Sequence, residues 1–201
     1  ATTSILSAAP CPVVEMWDLD GRALDTLIGF SNYEAGKAAA AHFLAAGRRR
    51  LAFVGAIMDR DTRANARARG FKEEIERHDG ATGSVIDTDT RTFGGGCTAL
   101  HRVLETKPDV DAIAFSGDML AVGAMMEAER QGIKIPDDFA ILGYGDLDIA
   151  PHVNPALSTI RPPHDMIGEA VAQHILKRLS DPECGGETVD LGFDVVVRET
   201  G

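Results

Sequence analysis

Short apolar runs alternate along the chain with longer stretches in which apolar residues recur every three or four positions. The apolar runs cover residues 12–17, 26–30, 51–55, 84–87, 111–116, 139–142, 157–160 and 193–197. Runs of this length, bounded by Gly, Pro or Asp, are typical of strands buried in a sheet. The pattern therefore predicts a strand at each of these places, with 84–87 the weakest.

Helical patterns lie between these runs. Ser31 and Glu34 fit a capping box for a helix from Tyr33 that ends at Gly47. Further helices are predicted over 62–78, 97–105, 119–131 and 165–179. Asp118 is expected to cap the third of these, and the last has an apolar side that contains Ile167, Val171, Ile175 and Leu179. Because strands and helices alternate, the sequence predicts an α/β protein with mostly parallel sheets flanked by helices.

The stretch from Leu51 to Phe71 combines a strand, a polar loop and the start of a helix. Arg63 and Arg67 are four residues apart and share one helix face, and Asp59, Asp61 or Thr62 is suited to cap the first turn. Ligands of open α/β folds bind at the carboxyl ends of strands. Helix N-termini and arginine side chains favour carboxylates, phosphates and polyols. Spacing alone leaves two interpretations open, a wall of a small-ligand pocket or a solvated helix face.

Two glycine motifs are candidates for cofactor-binding loops. The segment 143–148, GYGDLD, begins like a dinucleotide fingerprint, but Asp148 replaces the third glycine and two prolines interrupt the helix that should follow. It is either a plain exit from a strand or a pocket loop that offers Asp146 or Asp148. The triplet Gly94–Gly96 lacks the Lys-Ser/Thr of a P-loop, so a flexible loop before a helix is favoured over an anion cradle.

The remaining composition restricts the class of protein. No nucleophile elbow is present, and the six histidines show no spacing typical of metal ligands, so neither an enzyme nor a cofactor is predicted. The three cysteines form no disulfide or zinc pattern. No apolar run approaches the ~20 residues of a membrane span, and no secretion signal is visible, so a cytoplasmic protein is expected. A net charge of −11 should repel nucleic acid, so any DNA-reading part lies outside this chain.

Several motifs, taken in order, resemble the effector-binding core of the lactose-repressor (LacI/GalR) family. They are residues 12–14 (PVV), 30–36 (FSNYEAG), 51–55 (LAFVG), 67–71 (RARGF), 111–124 (DAIAFSGDMLAVGA), 135–144 (IPDDFAILGY) and 155–160 (PALSTI). Glu15, Trp17-Asp18 and the loop 59–63 look closest to the gluconate-repressor branch. The ordered set covers nearly the whole chain and is far more specific than any one piece.

The resemblance implies a two-lobed, type I periplasmic-binding-protein-like fold with a ligand in the cleft. Residues 1–50 and 158–184 would form an N-terminal lobe that is incomplete here, and residues 51–157 and 189–199 the C-terminal lobe. The implied function is the effector-sensing domain of a transcriptional repressor. It would bind a small sugar or sugar acid and control operator DNA binding by a helix-turn-helix headpiece that is not in this chain. A homodimer is expected.

The resemblance also implies site residues. Arg67 would grip the effector, and Arg91 or Phe93 lies near the stacking position. Gly117 and Gly145 stand where many members have Asn and Asp. Because two polar side chains are thereby missing, the resemblance favours a sugar acid or other anion over a neutral pyranose. The predicted ligand-binding set is Arg67, Arg63, Asp61, Asp18, Arg91, Phe93, Asp118 and Asp146.

One alternative shares the fold, a periplasmic-type solute-binding protein for sugar transport. The sequence upstream of Ala1 separates the two, because a helix-turn-helix supports the regulator and a secretion signal supports the transport receptor.

Overall fold

The computed structural model describes residues 2–9, 11–19, 21, 23–181 and 184–201. The chain divides into a smaller unit, Ala1–Asn32 with Pro162–Asp194, and a larger unit, Tyr33–Arg161 with Val195–Gly201. Packing thus groups residues 33–50 with the larger unit, whereas the predicted boundaries assign them to the N-terminal lobe. Since the units are defined by packing alone, the lobe boundaries stay a prediction.

The elements follow one another in the predicted alternation. In chain order they are α1 (Thr2–Leu6), β1 (Val14–Met16), β2 (Thr26–Gly29), α2 (Asn32–Ala45), β3 (Arg50–Ala56), α3 (Thr62–Glu76), β4 (Thr82–Thr88), α4 (Phe93–Thr106), β5 (Ala112–Phe115), α5 (Asp118–Arg130), β6 (Ala140–Tyr144), a 3-10 turn (Ala150–His152), β7 (Ser158–Arg161), α6 (His164–Ser180), β8 (Thr188–Asp190) and β9 (Asp194–Val196).

The smaller unit contains a parallel three-stranded sheet in the order β1-β2-β8. Strand β8 begins at Thr188, outside the apolar runs that predicted strands. Helix α6 packs on this sheet through Ile167 and His174, and the ring of His174 lies between Thr26 and Glu187. The predicted apolar side of α6 is wrong in its second half, because Ile175 and Leu179 are 36% and 65% exposed. The buried side is set by the two residues that reach the sheet.

The larger unit contains a six-stranded sheet in the order β4-β3-β5-β6-β7-β9. The neighbours from β4 to β7 are parallel. Val54, Ile113 and Ile141 in the central strands are fully buried. Strands that are buried on both faces appear in the sequence as continuous apolar runs. This explains why β3, β5 and β6 could be predicted from the sequence. Because the strands are parallel, the carboxyl ends of β3, β5 and β6 lie at one edge of the sheet.

The glycine triplet was predicted to be a loop, but it belongs to helix α4. Thr92 is the N-cap residue, and its hydroxyl accepts a hydrogen bond of 3.2 Å from the backbone N–H of Gly95. A β-carbon on Gly96 would collide with the carbonyl oxygen of Leu120 and the backbone nitrogen of Ala124 on α5. Gly96 therefore allows α4 and α5 to pack closely, and this packing explains Gly96 without an anion cradle or a flexible loop. A β-carbon on Gly95 would instead collide with Thr90, and Gly94 has no close neighbour.

Of the helix caps predicted from the sequence, one is confirmed and another is wrong. Asp61 is the N-cap of α3, where its carboxylate accepts a hydrogen bond of 2.9 Å from the backbone N–H of Ala64. The predicted cap of α5 is wrong, because Gly117 occupies the N-cap position and makes no side-chain cap. The Asp118 carboxyl group is used elsewhere, as described below.

Two neighbouring glycine variants test the close packing of α4 on α5. Gly96→Ala is expected to lower the free energy of unfolding by about 1–3 kcal/mol, because the added methyl group overpacks a backbone contact. Gly94→Ala in the same helix has no neighbour closer than the Thr92 hydroxyl at 3.8 Å and should be neutral or stabilising by up to about 1 kcal/mol. Urea unfolding measures both. Equal midpoints for the two variants would contradict the packing argument.

We expect His42 on α2 to make the stability of the larger unit depend on pH. Its Nε2 atom is buried and has no hydrogen-bond partner among the described residues, and burial lowers the pKa of this ring below 6.5. The unfolded chain therefore binds the proton more tightly than the folded one, so stability should fall as pH drops below about 6.5. His42→Phe should lose less stability than the native protein between about pH 7 and pH 5, as measured by urea unfolding at each pH. Parallel pH profiles for the two proteins would show that His42 is not the source.

Candidate functional site

The carboxyl edge of the larger sheet carries most of the predicted site residues. Asp61 is the N-cap of α3 and follows the loop after β3, and Arg91 lies in the loop between β4 and α4. An Arg91 N–H donates to the Asp61 carboxylate at 2.8 Å. Two predicted residues therefore meet, and they pair with each other. Because the Arg91 side chain is 60% exposed, this ion pair orders the loops more than it stabilises the fold.

Arg67 is the buried arginine of the group, with only 5% of its surface exposed. Its guanidinium carbon lies 3.8 Å from the centre of the Tyr144 ring, at the end of β6. One of its N–H groups points towards the carbonyl oxygen of Ser116, 3.5 Å away, just before α5. Burying a guanidinium is costly unless its surroundings compensate the charge, and an aromatic face does so in part. Helix α3 and the ends of β5 and β6 thus meet at one cation.

Two other residues of the predicted ligand-binding set, Arg63 and Phe93, are on the surface. Arg63 is exposed, and Phe93, the first residue of α4, is 37% exposed. Of the two arginines that share a face of α3, the structure therefore buries only Arg67. The ligand-binding roles assigned to Arg63 and Phe93 stay predictions.

Asp118 is fully buried at the start of α5. Its carboxyl oxygens accept hydrogen bonds of 2.7 Å from the Thr159 hydroxyl and of 2.7 Å from the Leu147 backbone N–H, and the Tyr144 backbone N–H also bonds to it. Burial raises the pKa of the Asp118 carboxyl above its usual 3.8, and the hydrogen bonds offset this only in part. A β-carbon on Gly143 would collide with this carboxyl group, so glycine makes room for it. Asp118 thus connects α5, the loop after β6, and β7.

Asp146 follows β6 in a left-handed backbone conformation, with φ of 49°. Its carboxylate accepts hydrogen bonds from Arg161 at 2.5 Å and from Arg198 at 2.7 Å. Burial alone would raise the pKa of Asp146, but Arg198 and Arg161 outweigh it and hold the pKa below 3.8. Of the two carboxylates left open by the sequence, Asp146 is held in this network and Asp148 is exposed.

The smaller unit carries the last predicted residue, Asp18, after the carboxyl end of β1. The side-chain amide of the buried Asn32 donates to the Asp18 carboxylate at 3.3 Å and to the Trp17 carbonyl at 3.0 Å. Trp17 has φ of 75° and meets the His164 ring edge-on, with the ring centres 5.1 Å apart. A bulky residue held at positive φ is a strained position of the kind found at functional sites.

Several residues that contact the predicted ones were not identified from the sequence. In the larger unit they are Tyr144, Thr159, Arg161 and Arg198, and in the smaller unit Trp17 and His164. Trp17 and Tyr144 each carry a usable signal, an aromatic residue at the end of an apolar run. The two arginines carry no such signal, because they reach Asp146 from 15 and 52 residues further along the chain.

Among the residues that the structure describes, no group of three or more His, Cys, Asp or Glu side chains is arranged to hold a metal ion. Across the same part of the chain, no helix has the length and apolar character needed to cross a membrane.

Comparison with known proteins places the fold in a family. Residues 40–200 match the periplasmic binding protein-like domain. The HTH-type transcriptional regulator GntR of Pseudomonas aeruginosa is 36% identical over 199 residues, which are 98% of this chain and 57% of that protein. The chain thus spans little more than half the length of this curated relative.

Two solved structures agree with that assignment. A LacI family transcriptional regulator from Silicibacter pomeroyi superposes with a TM-score of 0.90 and 32% identity, over 98% of this chain and 60% of the other. The transcription regulator GntR from Chromobacterium violaceum superposes with a TM-score of 0.87 and 33% identity, over 99% of this chain and 73% of the other. The predicted α/β fold and the resemblance in sequence are confirmed. The chain belongs to the periplasmic binding protein-like domain family, in the form that occurs in LacI-type transcriptional regulators.

Proposed function

We propose that this chain is the effector-sensing domain of a transcriptional repressor and that its larger unit binds a small sugar acid. The observation that carries the proposal is the buried Arg67 guanidinium at the carboxyl ends of the strands, with Tyr144 on its face. A buried guanidinium is suited to a carboxylate ligand, because the pattern of its N–H groups matches the two carboxylate oxygens.

The electrostatics around Arg67 favour an anionic ligand. Helix α5 begins beside it at Gly117, which provides no side-chain cap, so the positive end of the helix dipole adds to the arginine charge. These two features together support a carboxylate as the ligand group.

The acidic side chains nearby are poorly disposed to hold a neutral sugar. Proteins hold sugar hydroxyls with carboxylates and amides that have open acceptor positions. Asp146 instead accepts from two arginines, and Asp118 accepts from three groups of the protein. Gly117 and Gly145 offer no side chain in their place. A sugar acid therefore fits this edge better than a neutral pyranose.

Control of DNA binding is proposed for the longer protein. The net charge of −11 disfavours DNA contact by this chain, and the relative from Pseudomonas aeruginosa is named as an HTH-type regulator. A separate helix-turn-helix headpiece would read the operator, in a cytoplasmic homodimer. The effector would act by binding two conformations of the core with different affinity, since equal affinity shifts no equilibrium. Nothing in this role requires catalysis.

Substitution of Arg67 tests the site. With D-gluconate as the probe in isothermal titration calorimetry, Arg67→Ala should weaken binding roughly 10- to 100-fold, because a hydrogen bond to a charged group contributes about 1.5–3 kcal/mol. Arg67→Lys should fall in between, since it keeps the charge and loses the paired N–H geometry.

The matched control is Arg69→Ala, two residues along the same helix. Arg69 is exposed, and its nearest aromatic contact is the Tyr33 ring at 5.2 Å. Its removal should change gluconate binding by less than about twofold, as is usual for exposed charges. Equal affinities for the native protein, Arg67→Ala and Arg69→Ala would remove Arg67 from the site. Absence of gluconate binding by the native protein, with binding of D-glucose instead, would overturn the sugar-acid proposal.

A further inference from the structure

The Asp146 carboxylate contacts an arginine at each of two connections between the units of the chain. The chain leaves the larger unit after Arg161 and returns to it at Val195. We propose that Asp146, Arg161 and Arg198 form a clamp, here called the Asp146 clamp, which transmits ligand binding at the carboxyl edge of the larger sheet to these connections. This inference rests on the proposed function, because it describes how binding at that edge is passed on.

The two arginines lie at the ends of the segments that join the units. Arg161 is the last residue of β7 and the last residue of the larger unit before the chain continues at Pro162. Arg198 follows β9, shortly after the larger unit resumes at Val195. All members of the Asp146 clamp belong to the larger unit. A displacement of the loop after β6 therefore acts on both connections through one carboxylate.

The Asp146 carboxylate holds both arginines at once, because each donates to a different oxygen. The Nε–H of Arg161 donates to Oδ2 at 2.5 Å, and an N–H at Nη2 of Arg198 donates to Oδ1 at 2.7 Å. Only 10% of the Asp146 side chain is exposed, so solvent and salt screen these pairs little. A shielded carboxylate is costly to leave without its partners. It therefore holds β7, the loop after β6 and the segment after β9 together.

The two arginines differ in how firmly they are held by other groups. The Nη1 group of Arg198 donates to the Leu157 carbonyl at 2.7 Å, and the Arg198 backbone N–H donates to the Ser158 hydroxyl at 2.8 Å. Arg161 is 45% exposed, and within the described part of the chain its side chain has no hydrogen bond other than the one to Asp146. The Asp146–Arg161 pair is therefore the one that can open while Arg198 stays in place.

The loop that carries Asp146 is tied to the start of α5. The backbone N–H groups of Tyr144 and Leu147, on either side of Asp146, both bond to the buried Asp118 carboxyl group. A ligand that displaces the start of α5 therefore displaces the loop with it. Asp146 has φ of 49°, a left-handed conformation that Asp and Asn adopt more readily than other residues with a β-carbon. Asparagine at this position keeps the backbone and the side-chain shape and removes the charge.

The clamp makes binding and its transmission separable. A ligand shifts the protein between two conformations only if it binds them with different affinity. With the Asp146–Arg161 pair closed, β7 follows the loop after β6, so the conformation that binds the ligand better also restrains the first connection. Arg198 does the same for the second connection. Loss of one pair should therefore free one connection, and loss of the Asp146 charge should free both.

Hydrogen–deuterium exchange tests the inference, with D-gluconate as the probe at a concentration that saturates each protein. In the native protein, gluconate should slow amide exchange about threefold or more in the segments 158–164 and 195–200, because restrained segments open less often. Arg161→Gln should keep this change in 195–200 and lose it in 158–164. Its gluconate affinity should stay within about fivefold of the native value, as expected for removal of an exposed partner. Asp146→Asn should lose the change in both segments.

The matched control is Arg77→Gln, which removes another half-exposed arginine that pairs with a carboxylate, Glu74 at 3.1 Å. It should keep the native response in both segments. A merely structural role for the clamp would raise exchange with and without gluconate alike and leave the gluconate-dependent change intact.

Two results would overturn the clamp and leave the proposed function standing. One is gluconate binding by the native protein without a change in either segment, and the other is a native response in Asp146→Asn. If Asp146→Asn does not fold, Arg161→Gln decides, and a native response in 158–164 of that variant would overturn the clamp. Lack of gluconate binding by the native protein would overturn both the proposed function and the transmission role.

Discussion

The arrangement at the carboxyl edge of the sheet in the larger unit depends on the burial of one carboxyl group. Asp118 is inaccessible to solvent, so every polar atom it carries must find a partner within the protein. It meets that requirement with the Thr159 hydroxyl and with the backbone N–H groups of Tyr144 and Leu147. These partners come from β7, from the last residue of β6 and from the loop that follows. The need to satisfy one buried group thus brings the ends of two neighbouring strands into a defined geometry.

That geometry fixes the position of the arginine. The loop after β6 is held by Asp118 at two backbone positions and by Asp146 through Arg161 and Arg198. The Tyr144 ring stands at the start of this loop, and the guanidinium carbon of Arg67 lies 3.8 Å from its centre. Helix packing at Gly36 holds Arg67 from behind. Contacts from α2 and from the end of β6 thus meet at this buried cation.

Much of this could be predicted from the sequence, for physical reasons that differ between elements. The alternation of strands and helices was legible because β3, β5 and β6 are buried on both faces and carry uninterrupted apolar runs. The cap of α3 was among the named candidates, since Asp61 acts on a backbone N–H three residues away. The resemblance selected Arg67 as the predicted ligand-binding arginine, whereas the four-residue spacing alone did not distinguish Arg67 from Arg63. Local interactions and long apolar strands are the features that a single sequence records.

The predictions that were wrong share one cause, which is contact with residues distant in the sequence. The glycine triplet looked like a loop because the role of Gly96, contact with the backbone of α5, involves residues more than twenty positions away. Asp118 looked like a helix cap because its true partners lie at positions 144, 147 and 159. In each case the residue type was noticed and the partner was not, since a tertiary contact leaves no periodic trace along the chain. The same reasoning applies to a site in this fold generally. The residues that touch the ligand follow strands and helix starts and can be guessed, whereas the residues that orient them are recognised only when the sheet has brought distant segments together.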